Sequence, residues 1–191
     1  MINKYYLENV EKIKSSFHEK KDFPHVILFD FFDDEQYSRV KKILEKIPLK
    51  KEKKPLFHSY AHARLSPELQ NVFSSSEFTG FIKTIIGQKF KLLNLTIYSF
   101  SARDYTLLND SYKEKPGMDL IFDFTEKWDS SGGGQVTYVN GTGDALKLPI
   151  KANSLLIIRR QKNVQRFVKY VNHNAGKERR WFVLIRFSVM F

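Results

Sequence analysis

The apolar positions change period near residue 88. Before it they recur at helical spacing, and after it they alternate. Tyr6, Val10, Ile13 and Phe17 fall on one side of a helix over residues 4–20. Pro24-His25-Val26-Ile27-Leu28-Phe29-Asp30 is too short and apolar for anything but a buried strand. Asp33 with Gln36 three residues on resembles a capping box, which opens a helix over 34–46. Ser66-Pro67-Glu68 starts a second helix, with proline at its first position. Ser75-Ser76-Glu77 starts a third that ends near Gly87. From residue 90, Leu93, Leu95 and Ile97 alternate with Asn94, Thr96 and Tyr98. Met118, Leu120, Phe122 and Phe124 alternate with Asp119, Ile121 and Asp123. Val164, Arg166, Val168 and Tyr170 share one strand face. Gly132-Gly133-Gly134 and Asn140-Gly141-Thr142-Gly143 punctuate the strands. Helices followed by short strands predict an α+β chain with an antiparallel sandwich or barrel. The expectation is one domain over 1–191. Residues 1–88 would be mainly helical flank with the first strand, and 89–191 the strand-built core.

Composition refines this picture. With 42% apolar residues and 17 phenylalanines among 191, a sizeable core is available. No apolar run approaches the roughly 18–20 residues that span a bilayer. Glu8 and Glu11 interrupt any signal-peptide pattern at the N-terminus. The chain has no cysteine, so no disulfide, thiolate metal site or thiol nucleophile is open to it. A cytoplasmic location and no membrane partner are the expectation. The formal charge is +11, and residues 151–191 hold ten lysines and arginines against the single acid Glu178. Lys50-Lys51-Glu52-Lys53-Lys54 adds a second basic run, expected in a loop. Such a field favours an acidic protein, the ribosome or nucleic acid; the alternative is a set of solvated basic faces.

Two stretches carry possible chemistry. Ser101-Ala102-Arg103-Asp104-Tyr105-Thr106-Leu107-Leu108-Asn109-Asp110-Ser111 resembles the "G-D-Y-x-L-x-H-x-D" strand of the 2-oxoglutarate/Fe(II) oxygenases, prolyl-hydroxylase-like branch. Arg166-Phe167-Val168-Lys169-Tyr170-Val171 is similar to that branch's "H-x-V-x-x-V", and Arg179 to Phe187 is similar to its "R-W-x-I-x-x-W-F". Leu120 to Trp128 with the following glycines, and Pro149 to Ile158, match further strands. Phe23 to Phe31 and Ser75 to Ile82 match loosely, so the resemblance spans about residues 22–191. It implies a double-stranded β-helix, or jelly-roll, flanked by N-terminal helices.

In active members a His-x-Asp pair and a distal His hold Fe(II) on one face, leaving positions for 2-oxoglutarate and oxygen. Asn109, Ser111 and Arg166 stand at those three positions. Asn109 offers a neutral amide oxygen and Ser111 an undissociated hydroxyl. Arg166 brings a permanent charge that opposes a cation by a few kcal/mol even with generous screening. A shift of one residue would make Asp110 the surviving carboxylate, with Asn109 or His173 beside it. Arg180 matches the arginine that pairs with the far carboxylate of 2-oxoglutarate, and Tyr98 and Tyr105 either line the pocket or pack in the core.

The resemblance thus implies a non-catalytic homologue, a pseudoenzyme, with no bound cofactor and a small-anion site built on Arg166 and Arg180. Its first rival is an active 2-oxoglutarate-dependent dioxygenase with a remodelled site, using Fe(II) and 2-oxoglutarate. Its second is a nucleic-acid-binding protein on the same fold. Elsewhere, Asp119 and Asp123 share a face and either do acid/base work or pair with the basic C-terminal strands. His58 and His62 lack the glutamate of a zinc-protease motif and are read as structural or surface residues, as is His173. No Gly-Lys-Ser/Thr follows the triple glycine, which excludes a phosphate loop.

Overall fold

A computed structural model describes residues 1–108 and 115–189. The helical half forms where caps and apolar spacing place it. Asn3 caps α1 (Lys4–Glu8), and a break at Asn9 separates it from α2 (Val10–Glu19). Asp33 caps α3 (Asp34–Leu44) by accepting from the Gln36 amide at 2.8 Å. Ser66 and Ser75 cap α4 (Pro67–Ser74) and α5 (Ser76–Ile86), and left-handed Gly87 closes α5. Strand β1 (His25–Leu28) precedes α3. Strands β2 (Lys50–Lys54) and β3 (His58–Arg64) form a hairpin between α3 and α4.

The basic run expected in a loop is therefore the strand β2. Its charges sit on a sheet edge, where lysines discourage pairing with another chain. Beyond α5 come β4 (Phe90–Phe100), β5 (Tyr105–Thr106), β6 (Gly117–Asp123), β7 (Val136–Val139), β8 (Ala145–Lys147), β9 (Ser154–Arg160), β10 (Gln165–Val168) and β11 (Arg180–Val189).

The large sheet runs β1-β9-β6-β11-β4-β3-β2, with β5 joined to β3, and the small one runs β10-β7-β8. Every described pairing is antiparallel. Each face of the large sheet has its own apolar cluster. Met118, Leu120 and Phe122 of β6 pack with Phe17, Phe78 and Ile82 of the helices. On the other face, Ile121 packs with Val136, Tyr138 and Val168 of the small sheet. Strand β6 is consequently buried at all seven positions. Its polar alternates, Asp119 and Asp123, must find partners between the sheets.

Candidate ligand cavity between the two sheets

Register fixes which side chains meet inside. Arg186 lies opposite Asp119, Leu184 opposite Ile121 and Phe182 opposite Asp123. On β4, Tyr98 lies opposite Phe182. In the small sheet Arg166 lies opposite Tyr138. These residues surround the inter-sheet space.

Asp119 has no exposed surface. Its Oδ1 accepts from Arg160 Nη1 at 2.6 Å, and its Oδ2 accepts from Arg166 Nη1 at 2.5 Å and from the Tyr138 hydroxyl at 2.9 Å. A buried carboxylate with three donors is satisfied, and the pull of two guanidinium groups offsets the cost of its burial. Burial, then the Asp119 charge, pushes the Tyr138 hydroxyl well above its ordinary pKa, so Tyr138 acts as a donor. Arg166 does point inward, and the anion it meets is Asp119.

Arg180 forms a second buried pair. Its Nη1 donates to Asp123 Oδ1 at 2.6 Å, to the Thr125 hydroxyl at 2.6 Å and to the Trp181 carbonyl at 3.1 Å. Burial pushes the Asp123 carboxyl up against the opposing pull of Arg180, and pulls the Arg180 guanidinium down. Asp119 and Asp123 thus do not face solvent. They pair with basic residues of the C-terminal strands.

A cavity of about 410 Å³ opens beside Arg166, lined also by Tyr60, Tyr98, Phe182 and Arg186. Lys54 and His58 reach it from the β2–β3 hairpin. Asp and Glu are absent from its described lining. Arg180 is not among the lining residues; Tyr105 is not either, its ring lying 6.2 Å from that of Tyr170, while its neighbour Thr106 lines the cavity. Asn109, Asp110 and Ser111 lie outside the described residues. His173 begins a short 3₁₀ turn, Asn172 capping it. His58 and His62 stand on β3, their Nε2 atoms 2.8 and 3.0 Å from the two oxygens of Glu52.

The segment leading to residue 109 is pinned by Asp104. That carboxylate is buried and accepts from Lys51, the Ser59 hydroxyl and the Ser101 amide. The Val168 amide donates to the Thr106 hydroxyl at 2.7 Å, which ties β10 to β5.

Residues 49–191 match the family described as "Oxoglutarate and iron-dependent oxygenase degradation C-term". The chain belongs to that family. Solved structures of 2-oxoglutarate/Fe(II) oxygenases share its fold. An oxidoreductase of that class from Burkholderia pseudomallei superposes with a TM-score of 0.74 at 11% identity, over 94% of this chain and 90% of that one. A prolyl hydroxylase from Trichoplax adhaerens, in complex with a hypoxia-inducible-factor peptide, gives 0.70 at 8% identity, over 97% and 93%. A prolyl-4-hydroxylase from Pseudomonas putida gives 0.64 at 10%, over 92% and 98%.

These oxygenases imply iron and 2-oxoglutarate. Among the described residues, no three His, Asp or Glu side chains are placed to hold a metal ion. The described donor set does not fit iron: Arg166 stands where the resemblance puts the distal histidine, and it pairs with an Asp119 already shared with Arg160. The arginine matched to the 2-oxoglutarate anchor is likewise occupied by Asp123.

Sequence reasoning missed three contributors. Arg186 follows Arg180 by three alternating steps, and strand parity alone would have placed both on one face. Arg160 and Tyr138 carry no local signal, because only the pairing of β6 with β9 and the stacking of the sheets bring them to Asp119.

Proposed function

We propose that this chain is a non-catalytic member of the oxygenase fold, one that holds a small anion between its sheets in place of iron and 2-oxoglutarate. The observation that carries this reading is the Arg166–Asp119 pair. A guanidinium stands where the fold relatives' pattern calls for a neutral imidazole ligand, and its counter-charge is built into β6. A metal ion entering there would meet a fixed cation. Breaking the pair to admit one would take a donor from buried Asp119 and set the Arg166 charge against that of the metal.

The lining of the cavity supports an anionic occupant. Arg166, Arg186 and Lys54 converge on a space of about 410 Å³ walled by Tyr60, Tyr98 and Phe182. A dicarboxylate, phosphate or sulfate suits such a wall, the guanidinium forks giving paired hydrogen bonds.

Calorimetric titration of the full chain with Mn(II), alone and with 2-oxoglutarate, tests the proposal. No saturable metal binding up to about a hundred micromolar is expected. Phosphate or a dicarboxylate is expected to raise the unfolding temperature, as any ligand selective for the folded state does. Stoichiometric Mn(II) at micromolar affinity, or succinate formed from 2-oxoglutarate in the presence of Fe(II), would overturn it.

A further inference from the structure

The small sheet has three described strands, and the inner face of the large sheet continues past it toward β3 and β2. A second cavity of about 800 Å³ lies on this uncovered part, against His62, Arg64, Leu93 and Asn94. Register puts His62 and Arg64 on the face already described: His62 lies beside Tyr98, and Arg64 beside Thr96. The two cavities adjoin, since Tyr60, Tyr98 and Arg186 line both. Together they form a trough that follows β3 and β4 from the β2–β3 turn to the start of α4.

Two features of this trough go together. Cations are spread along it: Lys54 at one end, Arg166 and Arg186 in the middle and Arg64 at the other. Neither cavity has a carboxylate among its described lining residues. Among the described residues Arg166 pairs with Asp119, which is fully buried beneath the floor. Glu52 of the neighbouring strand lies opposite Tyr60 on this face and contacts the two histidines. On the same face, Lys50 pairs with His62 and Lys54 with His58 in register. Between the cations stand aromatic rings. Tyr60 is 5.2 Å from Tyr98 and stacks on His58 at 5.0 Å. Phe57, at the mouth, is partly exposed beneath the Lys54 ammonium.

From this arrangement we propose that the trough binds a short single-stranded nucleic acid. Its phosphates would meet the spaced cations, and its bases would lie against the rings of Phe57, Tyr60 and Tyr98. A linear array of cations matches a charge that repeats along a chain, and interleaved rings match the planar base attached to each charge. A plain oligo-glutamate chain satisfies the first feature but brings no ring to the second. A duplex keeps its bases stacked inside and cannot use the rings. The inference rests on the anion reading of the deeper cavity, since Lys54, Arg166 and Arg186 line it too, and a phosphate of the strand would take the place of the free anion there.

Fluorescence anisotropy of the full chain with labelled eight-nucleotide RNA and DNA strands provides the test. Each is compared with its own duplex and with an unlabelled oligo-glutamate competitor, over a range of salt concentrations. Micromolar or tighter binding of at least one single strand is expected at low salt, about tenfold or more tighter than its duplex. The RNA and DNA arms identify which sugar is preferred. Affinity should fall with log salt, with a slope of roughly 0.7 per phosphate contacted.

Tyr60→Leu, which keeps an apolar body, should weaken binding roughly tenfold. Lys54→Gln with Arg64→Gln should weaken it and flatten the salt slope. Lys12→Gln with Lys42→Gln, on helices packed against the opposite face, should change neither. Unfolding temperatures of all variants show that each is folded. Equal affinity for strand and duplex, equal loss from the helix variants, or full displacement by oligo-glutamate would overturn the proposal. So would the absence of binding at low salt.

Discussion

At the scale of single residues, the decisive groups are two buried aspartates. Asp119 serves Arg160, Arg166 and Tyr138 at once, and Asp123 serves Arg180. Each pair is nearly stripped of water, so its value lies in completeness: removing one member strands the other's charge. Asp119→Ala is expected to cost about 3–5 kcal/mol in denaturant unfolding. Asp123→Ala should cost a similar amount, and combining it with Arg180→Met should restore part of the loss, because no uncompensated charge then remains. A double variant no more stable than Asp123→Ala would show that the pair is not the reason.

Asp33 makes a different prediction. The Gln36 amide holds its carboxyl below the ordinary value. A depressed folded-state pKa adds stability above the unfolded carboxylate's pKa of about 3.9, and that stability is lost as pH falls through the folded value. Asp33→Ala should therefore destabilise by about 1 kcal/mol at neutral pH. The gap from wild type should close below about pH 4 in a pH series of unfolding midpoints.

At the scale of elements, β6 shows how a strand becomes the centre of the molecule. Its apolar alternates face the helices, and its other face carries Asp119, Ile121 and Asp123 against the small sheet. Gly117 opens it at a point of close approach. A Cβ there would fall well inside contact distance of the Phe187 carbonyl and about 3.0 Å from Arg160 Nη2. Gly117→Ala is expected to destabilise the protein by more than the few tenths of a kcal/mol of an ordinary surface change, and to disturb the Arg160–Asp119 pair. Thermal unfolding beside a control, Gly80→Ala, checks this; Gly80 sits in α5 with nothing within 4 Å of its would-be Cβ and should gain stability from helix propensity. The edge strand β2 is held away from other chains by its lysines. Replacing Lys50 and Lys53 by valine is expected to produce association visible in size-exclusion chromatography.

At the scale of the whole molecule, the fold is that of the 2-oxoglutarate oxygenases, while the described interior is arranged as a set of internal ion pairs. Restoring a metal site would take more than ligands. Arg166→His alone is expected to leave Mn(II) unbound and to lower stability, because Asp119 loses one of its two guanidinium partners. Calorimetry with the variant reads the first outcome and denaturant unfolding the second. Saturable micromolar Mn(II) binding by this single variant would show that the rest of the site is still competent.

Much of the architecture was legible from local signals. Caps at Asp33, Ser66 and Ser75 placed three helices, and alternation placed β4, β6 and β10, because propensity and period act over a few residues. The resemblance supplied the jelly-roll and singled out Arg166 as the position hardest to reconcile with iron. The strand formed by Lys50–Lys54 was not legible. Its pattern carries no apolar signal, and it is a strand because β3 offers an open edge. The partners of the arginines were hidden for the same kind of reason. Strand parity in the sequence says that Arg166, Arg180 and Asp119 point to definite faces. Which charge meets which depends on register across strands far apart in the chain, and on the two sheets closing over one another. The sequence by itself determined that an inward arginine must find an anion. Only the tertiary structure decided that Asp119 is such an anion, because 47 residues separate the pair and only the stacking of the two sheets brings them together.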